Sequence, residues 1–395
     1  MIVRRLWAGL CVLGLIGCNT QEGPVSTADG AAPVGSYAAM TSGSPDAMLL
    51  HMDALREQFT HTLEPSPRQA RAATAAFTKA VVDTARAILG QEGLLPQQAT
   101  KATDALMIML ASQMEKDPTS FDTLIEVADE VIQKFPNTQA ATSAAFSKAN
   151  ALGTAPASRF ESYDKRLDRL VPAVIQFGRC DPPLPQAIDM VLKLARETEN
   201  TGRVADAKAL HEVLIEKFAN DERAQDSPDR LRRFEQFGRV IEDFKGKGVD
   251  GKPVNLDDLR GKVVLIDFWG SWCDPCVAGI PELKRMRETL GDKGFEVLGV
   301  MTDPAVIGEV FLKKHKINWP QINEEITDDP TSLQHRFGVS FFPTYLVVDR
   351  EGKLVGSTNE GYVVEAMVMK AMGLEAPPST KGPAPGGAAP AKPAG

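Results

Sequence analysis

The chain is short of cysteine, histidine and clustered basic residues, and each shortage removes a class of function. Five cysteines in 395 residues do not make a disulfide scaffold, because a chain of this length builds its core without staples. Each cysteine therefore needs its own account. The five histidines, His51, His61, His211, His315 and His335, stand at no ligand spacing from acids or cysteines, so no metal is expected. No long run of Lys or Arg occurs and the formal charge is −8, which argues against a protein that neutralises nucleic-acid phosphates. Beyond the N-terminus no apolar stretch reaches the roughly 20 residues of a membrane span, so a polytopic membrane protein is excluded. What remains is ordinary globular composition, 43% hydrophobic and 24% charged, in a chain long enough for two or three domains.

Arg4 and Arg5 precede an apolar run from Leu6 to Ile16. A positive start before an apolar core too short for a comfortable permanent span is the pattern of an export signal, residues 1–17. The end of the run, Leu15-Ile16-Gly17-Cys18, resembles the lipobox of bacterial lipoproteins. That resemblance implies cleavage before Cys18 and lipidation of its thiol, with an ordinary signal peptide or short anchor as the alternative; either way the remainder is exported. Residues 18–45, rich in Gly, Ala, Ser, Thr and Pro, are expected to form a flexible tether, and residues 376–395, mostly Pro, Ala and Gly, a disordered tail.

Residues 46–235 carry helical patterning and few strand signals, so an all-α domain is expected there. From Phe121 to Ile132, apolar Leu124, Val127, Ala128, Val131 and Ile132 fall on one helical face, bounded by Pro118-Thr119 and Pro136-Asn137. The segment Ile132-Gln133-Lys134-Phe135-Pro136-Asn137 is echoed by Ile215-Glu216-Lys217-Phe218-Ala219-Asn220, each expected to end a helix. This faintly resembles tetratricopeptide-type hairpins; stacked helix pairs serving docking, spacing or dimerisation are the expectation, beside a packed domain with no ligand. Cys180 sits in the Gly- and Pro-bearing segment Phe177–Pro183 and has no cysteine nearby, as either an available thiol or a shielded bystander.

From about 240 to 375 the texture changes. Val263-Val264-Leu265-Ile266-Asp267-Phe268-Trp269 is short, β-branched and aromatic, a buried central strand. Gly270-Ser271 turns into Trp272-Cys273-Asp274-Pro275-Cys276 and a helix to about Leu290, followed by a second buried strand, Phe295–Met301. A helix from Pro304 to Lys316, a loop at Trp319-Pro320 and a short helix ending near Phe337 come next. A hairpin, Thr344–Asp349 with Leu354–Ser357, and a last helix from Val363 to Met372 complete the pattern.

This order and these residues resemble the thioredoxin family. The strand running into Trp-Cys-x-x-Cys looks like thioredoxin itself; Arg260-Gly261-Lys262-Val263-Val264 and Val348-Asp349-Arg350-Glu351-Gly352-Lys353 look more like exported reductases of the TlpA/ResA type. The expected fold is a C-terminal α/β thioredoxin fold preceded by an all-α helical domain. Cys273 at a helix N-terminus meets the positive end of the dipole, which favours its thiolate, so it is expected to be the nucleophile. Cys276, deeper in the helix and more shielded, is expected to resolve the mixed disulfide, the two forming a redox-active pair. A zinc site lacks a second ligand pair, and a haem motif lacks His, since Val277 follows Cys276. No cofactor is called for.

The resemblance assigns further roles. Pro343 matches the family's cis-proline, with Phe342 and Thr344 beside it and Trp272 before the first cysteine as the expected substrate-binding surface. Asp267 is expected to transfer the proton of Cys276, a buried mid-strand carboxylate being suited to that; a solvent-facing position is the alternative. Many TlpA/ResA-type proteins carry glutamate three residues after the second cysteine, where this chain has Gly279, so the proton-handling duty rests on Asp267 alone. Asp274 opposes a thiolate at Cys273, which makes the couple more reducing. A membrane-anchored reductase of exported disulfides is therefore expected in the bacterial cell envelope, facing the periplasm or extracytoplasmic side. It would be supplied by a membrane electron donor of the DsbD type, with apocytochrome c among its targets. The alternatives are an oxidase or isomerase, or a surface adaptor whose thioredoxin domain is a redox sensor. A peroxiredoxin-like peroxidase is discounted because Gly270, not Thr, lies three residues before Cys273.

Overall fold

The computed structural model describes residues 37–61, 66–115, 117–181, 183–327 and 329–375. The export signal, Cys18 with the first part of the expected tether, and the tail from 376 lie outside the described residues. The chain divides into two compact units, residues 1–187 and 188–395.

The first unit is helical. Its described helices are α1 (Pro45–His61), α2 (Pro67–Leu89), α3 (Pro96–Gln113), α4 (Thr119–Lys134), α5 (Gln139–Thr154) and α6 (Tyr163–Gly178). Side-chain caps start several of them: Ser66, Thr138 and Ser162 accept from the amides of Gln69, Ala141 and Lys165 at 3.3, 3.3 and 3.2 Å. The predicted face of α4 is buried at Leu124, Val127, Ala128 and Val131. Helix α5 buries Ala140, Ala141, Ala144, Ala145, Ala149 and Ala151, and side chains this small let α3, α4 and α6 pack closely around it. Residues 37–44, expected as tether, pack here instead. Tyr37 meets Phe59 and Phe77 edge-on, with ring centroids 5.9 and 5.7 Å apart, and the Met40 amide donates to Thr84 Oγ1 at 3.0 Å. Cys180 follows α6, half-buried, its thiol donating to the Gln176 carbonyl at 3.3 Å.

In the second unit, α7 (Gln186–Asn200), α8 (Val204–Phe218) and α9 (Ser227–Phe234) precede the sheet. The change of texture near 240 marks where helices give way to strands, whereas the compact units part at 187/188. A buried polar network ties these three helices together. Glu199 accepts from His211 Nε2 at 2.7 Å and from Arg230 at 2.5 Å, while His211 Nδ1 faces the Ser227 hydroxyl at 3.0 Å. Arg232 and Gln236 then donate to the carbonyls of His335 and Arg336 at 3.2 and 2.7 Å. The helices are thereby bound to the sheet domain.

Strands β1 (Lys245–Lys247) and β2 (Pro253–Asn255) form a small antiparallel pair. The main sheet has the order β5 (Gln321–Asn323), β4 (Phe295–Met301), β3 (Val263–Trp269), β6 (Thr344–Val348), β7 (Leu354–Thr358). Central β3 runs parallel to β4 and antiparallel to β6, and every residue of it is buried. That is why it reads as a continuous apolar run rather than an alternating one. The remaining helices are α10 (Asp274–Leu290), α11 (Ala305–Lys314), α12 (Leu333–Arg336) and α13 (Gly361–Ala371). The result is a helical N-terminal region followed by a thioredoxin-like α/β domain. Strand β5, which follows the expected loop at Trp319-Pro320 and was not itself expected, is only three residues long at the sheet edge, too short to show alternation.

Candidate active site

Central strand β3 delivers the chain to Gly270 at its C-terminal end, and the turn that follows is fixed by one carboxylate. Buried Asp303 accepts from the Ser271 amide at 2.7 Å and from the Ser271 hydroxyl. Gly270 is required here by close approach: a Cβ would fall 2.4 Å from Trp272 Nε1. The indole of Trp272 therefore folds back over the turn, 40% exposed, and meets Phe342 edge-on at 5.4 Å.

Cys273 is the N-cap of α10, its sulfur accepting from the Cys276 amide at 3.3 Å, with Pro275 in the first turn where its missing donor costs nothing. The sulfurs of Cys273 and Cys276 are joined as a disulfide. Cys276 shares the buried face of α10 with Ile280 and Leu283, so it points at the sheet. The expected difference in shielding does not appear. Cys273 is 0% and Cys276 3% exposed. What distinguishes the two is position: Cys273 meets the helix's unpaired amides and positive end, where a thiolate is stabilised.

The Phe342–Pro343 bond is cis. Phe342 was expected to offer surface to a partner, but its ring is 1% exposed and serves as backing for Trp272. Thr344 is likewise turned inward, donating to the Phe341 carbonyl at 2.7 Å and accepting from Asn359 at 2.8 Å. Asn359 also donates to the Pro343 carbonyl at 2.7 Å. Of the four residues expected at the substrate surface, Trp272 alone presents an exposed side chain; Pro343 is buried with its neighbours. Asp303 and Asn359 went unrecognised in the sequence, where each reads as an ordinary turn-former.

Asp267 is buried, 4% exposed, which removes the solvent-facing alternative. It pairs in register with Tyr345 of β6, so both side chains leave the sheet on one face. The Tyr345 hydroxyl lies 3.0 Å from where a Cβ on Gly279 of α10 would sit, so that face is the one α10 covers, the face Cys276 points toward. Burial pushes the Asp267 carboxyl up to about 8. It raises the Tyr345 phenol well above its ordinary value, with the Asp267 charge adding to the effect. A carboxyl whose proton affinity is raised this far can take or give a proton near neutral pH. Among the described residues no group of three or more His, Cys, Asp or Glu is arranged to hold a metal.

The sequence is similar to that of known proteins. Residues 237–357 match the AhpC/TSA family. Over 146 residues the chain is 31% identical to the thiol-disulfide oxidoreductase ResA of Bacillus subtilis, covering 37% of this chain and 79% of that one. It is 30% identical over 121 residues to ResA of Bacillus cereus, covering 30% of this chain and 68% of the relative. Among solved structures, the thioredoxin domain of a thiol-disulfide oxidoreductase from Bacteroides vulgatus has 31% identity and a TM-score of 0.31, covering 34% of this chain and 96% of that one. With a joined Cys-x-x-C pair capping α10 and most of ResA's length matched, the chain belongs to the ResA-type thiol-disulfide oxidoreductases.

Proposed function

We propose that this protein reduces disulfides of exported proteins at the cell envelope, held there by lipid on Cys18. The observation that carries the reading is the Cys273–Cys276 disulfide at the N-terminus of α10, on the helix that covers the buried Asp267. In the working direction, the Cys273 thiolate attacks a substrate disulfide, bonding to one sulfur and releasing the other as a thiolate. Asp267 then takes the proton of the Cys276 thiol. The Cys276 thiolate attacks Cys273 Sγ, the Cys273–Cys276 bond forms, and the substrate's second sulfur leaves with the electron pair and is protonated by solvent. The substrate gains two electrons and the enzyme pair loses them.

The direction follows from Asp274, exposed in the first turn of α10. Its charge opposes a thiolate at Cys273, leaving the reduced form less stabilised and the couple more reducing. A reductase working in an oxidising compartment needs electrons from across the membrane, so a DsbD-type donor is the partner this reading requires. Disulfide-bearing exported proteins, apocytochrome c among them, are the substrates. The test is paired turnover: reduction of insulin in the presence of dithiothreitol, and oxidation of reduced ribonuclease. Faster insulin reduction with little ribonuclease oxidation is expected; the opposite pattern makes the protein an oxidase.

A further inference from the structure

The expected glutamate position, three residues after Cys276, is Gly279, and the space beside it is taken from the sheet. Tyr345 reaches up from β6 until its hydroxyl lies 3.0 Å from the site of a Cβ on Gly279 and 3.9 Å from that on Gly361, the first residue of α13. Gly279 follows Cys276 by one helical turn, and Tyr345 stands opposite Asp267 in the β3–β6 register. Phenol, carboxylate and resolving thiol thus border the same layer between α10 and the sheet. Asp267 Oδ1 is buried without a hydrogen-bond partner. Such an oxygen tolerates charge only if a donor comes to it. Tyr345 of β6 stands opposite Asp267 and its phenol feels the Asp267 charge; Cys276 lies on the buried face of α10, and α13, which also packs on β3, buries only Val364 and Val368. Strand β4 presents Gly299 opposite it, and no charged side chain contributes to its environment.

We propose that Tyr345 is a positioning residue for Asp267: its hydroxyl donates to the carboxylate in the charged state, directly or through one water, and so sets how readily Asp267 takes the Cys276 proton. The phenol stands where a side chain at 279 would otherwise approach from the helix. The proposal rests on Asp267 being the proton acceptor, and the two ideas fail in different ways.

The experiment is single-turnover reduction of excess insulin by the reduced full-length protein across pH 6 to 10. The wild-type rate is expected to rise along a limb near pH 8. In Tyr345→Phe, which keeps the ring, the limb moves up by about one unit and the rate at pH 7 falls about tenfold, the size of one hydrogen bond to a charged group. A limb unmoved in Tyr345→Phe, with the limb absent in Asp267→Asn, overturns the role of Tyr345 and keeps that of Asp267. A limb retained in Asp267→Asn overturns both. Should Tyr345→Phe not fold, Gly279→Ala decides, because its methyl presses on the hydroxyl from the helix side. A moved limb supports the proposal, and an unmoved one overturns it.

Discussion

Asp267 stands directly opposite Tyr345 across the β3–β6 ladder, and burial raises the proton affinity of both side chains. For Asp267 this has a stability consequence with a definite sign. Its carboxyl titrates near 4 in an unfolded chain and near 8 in the oxidised fold, so between those values the folded state binds the extra proton. Stability therefore falls as pH rises from about 4 to about 8 and levels off above. Asp267→Asn removes that slope, so the oxidised variant is expected to be more stable than the wild type at pH 8, with the advantage shrinking toward pH 4. Urea denaturation at a series of pH values measures it; parallel curves for the two proteins would contradict the assignment.

The proposed mechanism gives the two cysteines different tasks, and single substitutions separate them. Cys276→Ser keeps the capping sulfur but removes the resolving one, so a mixed disulfide with an oxidised substrate protein accumulates. Cys273→Ser removes the attacking group and gives no adduct. Non-reducing electrophoresis after incubation with oxidised insulin reads both. An adduct on Cys273→Ser and none on Cys276→Ser would reverse the roles.

Asn359 braces the cis-proline loop through the Pro343 carbonyl and the Thr344 hydroxyl. Asn359→Ala loses both bonds, which costs about 1–2 kcal/mol. Because the loop backs Trp272 through Phe342, the loss is expected to appear mainly as a higher KM for protein substrates. A change confined to kcat would mean the brace does not shape the binding surface.

The network joining α7, α8 and α9 is a buried charge cluster whose removal is costly. Burial alone would raise the Glu199 carboxyl, but the Arg230 charge and the His211 hydrogen bond and charge together hold it down to about 2. Its contribution is present above about pH 4 and is lost as pH falls toward 2. Glu199→Gln leaves Arg230 with Asp226 as its carboxylate partner and Arg233 buried, and is expected to destabilise by about 3–5 kcal/mol. Thermal unfolding of the full chain at neutral pH tests this, and an unchanged midpoint would refute it.

Strand β3, strand β4 and the Cys-x-x-C helix were legible because local signals and tertiary environment agree there. The two strands are apolar at nearly every position, Asp267 and Glu296 excepted, and a capping cysteine with Pro275 marks its own helix. Asp303 and Asn359 were hidden because their partners, Ser271 and the Pro343–Thr344 pair, lie far away along the chain. Tyr345 read as one more strand residue, since nothing local shows that its hydroxyl reaches Gly279. Phe342 misled for a related reason. A residue next to the cis-proline is not thereby exposed: the Phe342 ring is buried and packs edge-on against Trp272. The change from helices to strands near 240 was legible, but the polar network of Glu199, His211 and Arg230 that ties α7, α8 and α9 together was not, because its members meet only in three dimensions.

The most direct test is the midpoint potential of the Cys273/Cys276 couple, titrated in the full-length protein against glutathione or dithiothreitol buffers. A value near or below about −220 mV, on the thioredoxin side of the scale, is predicted for a reductase supplied from a membrane donor. A value near about −120 mV would contradict the account, making the pair an oxidant and removing the argument from Asp274.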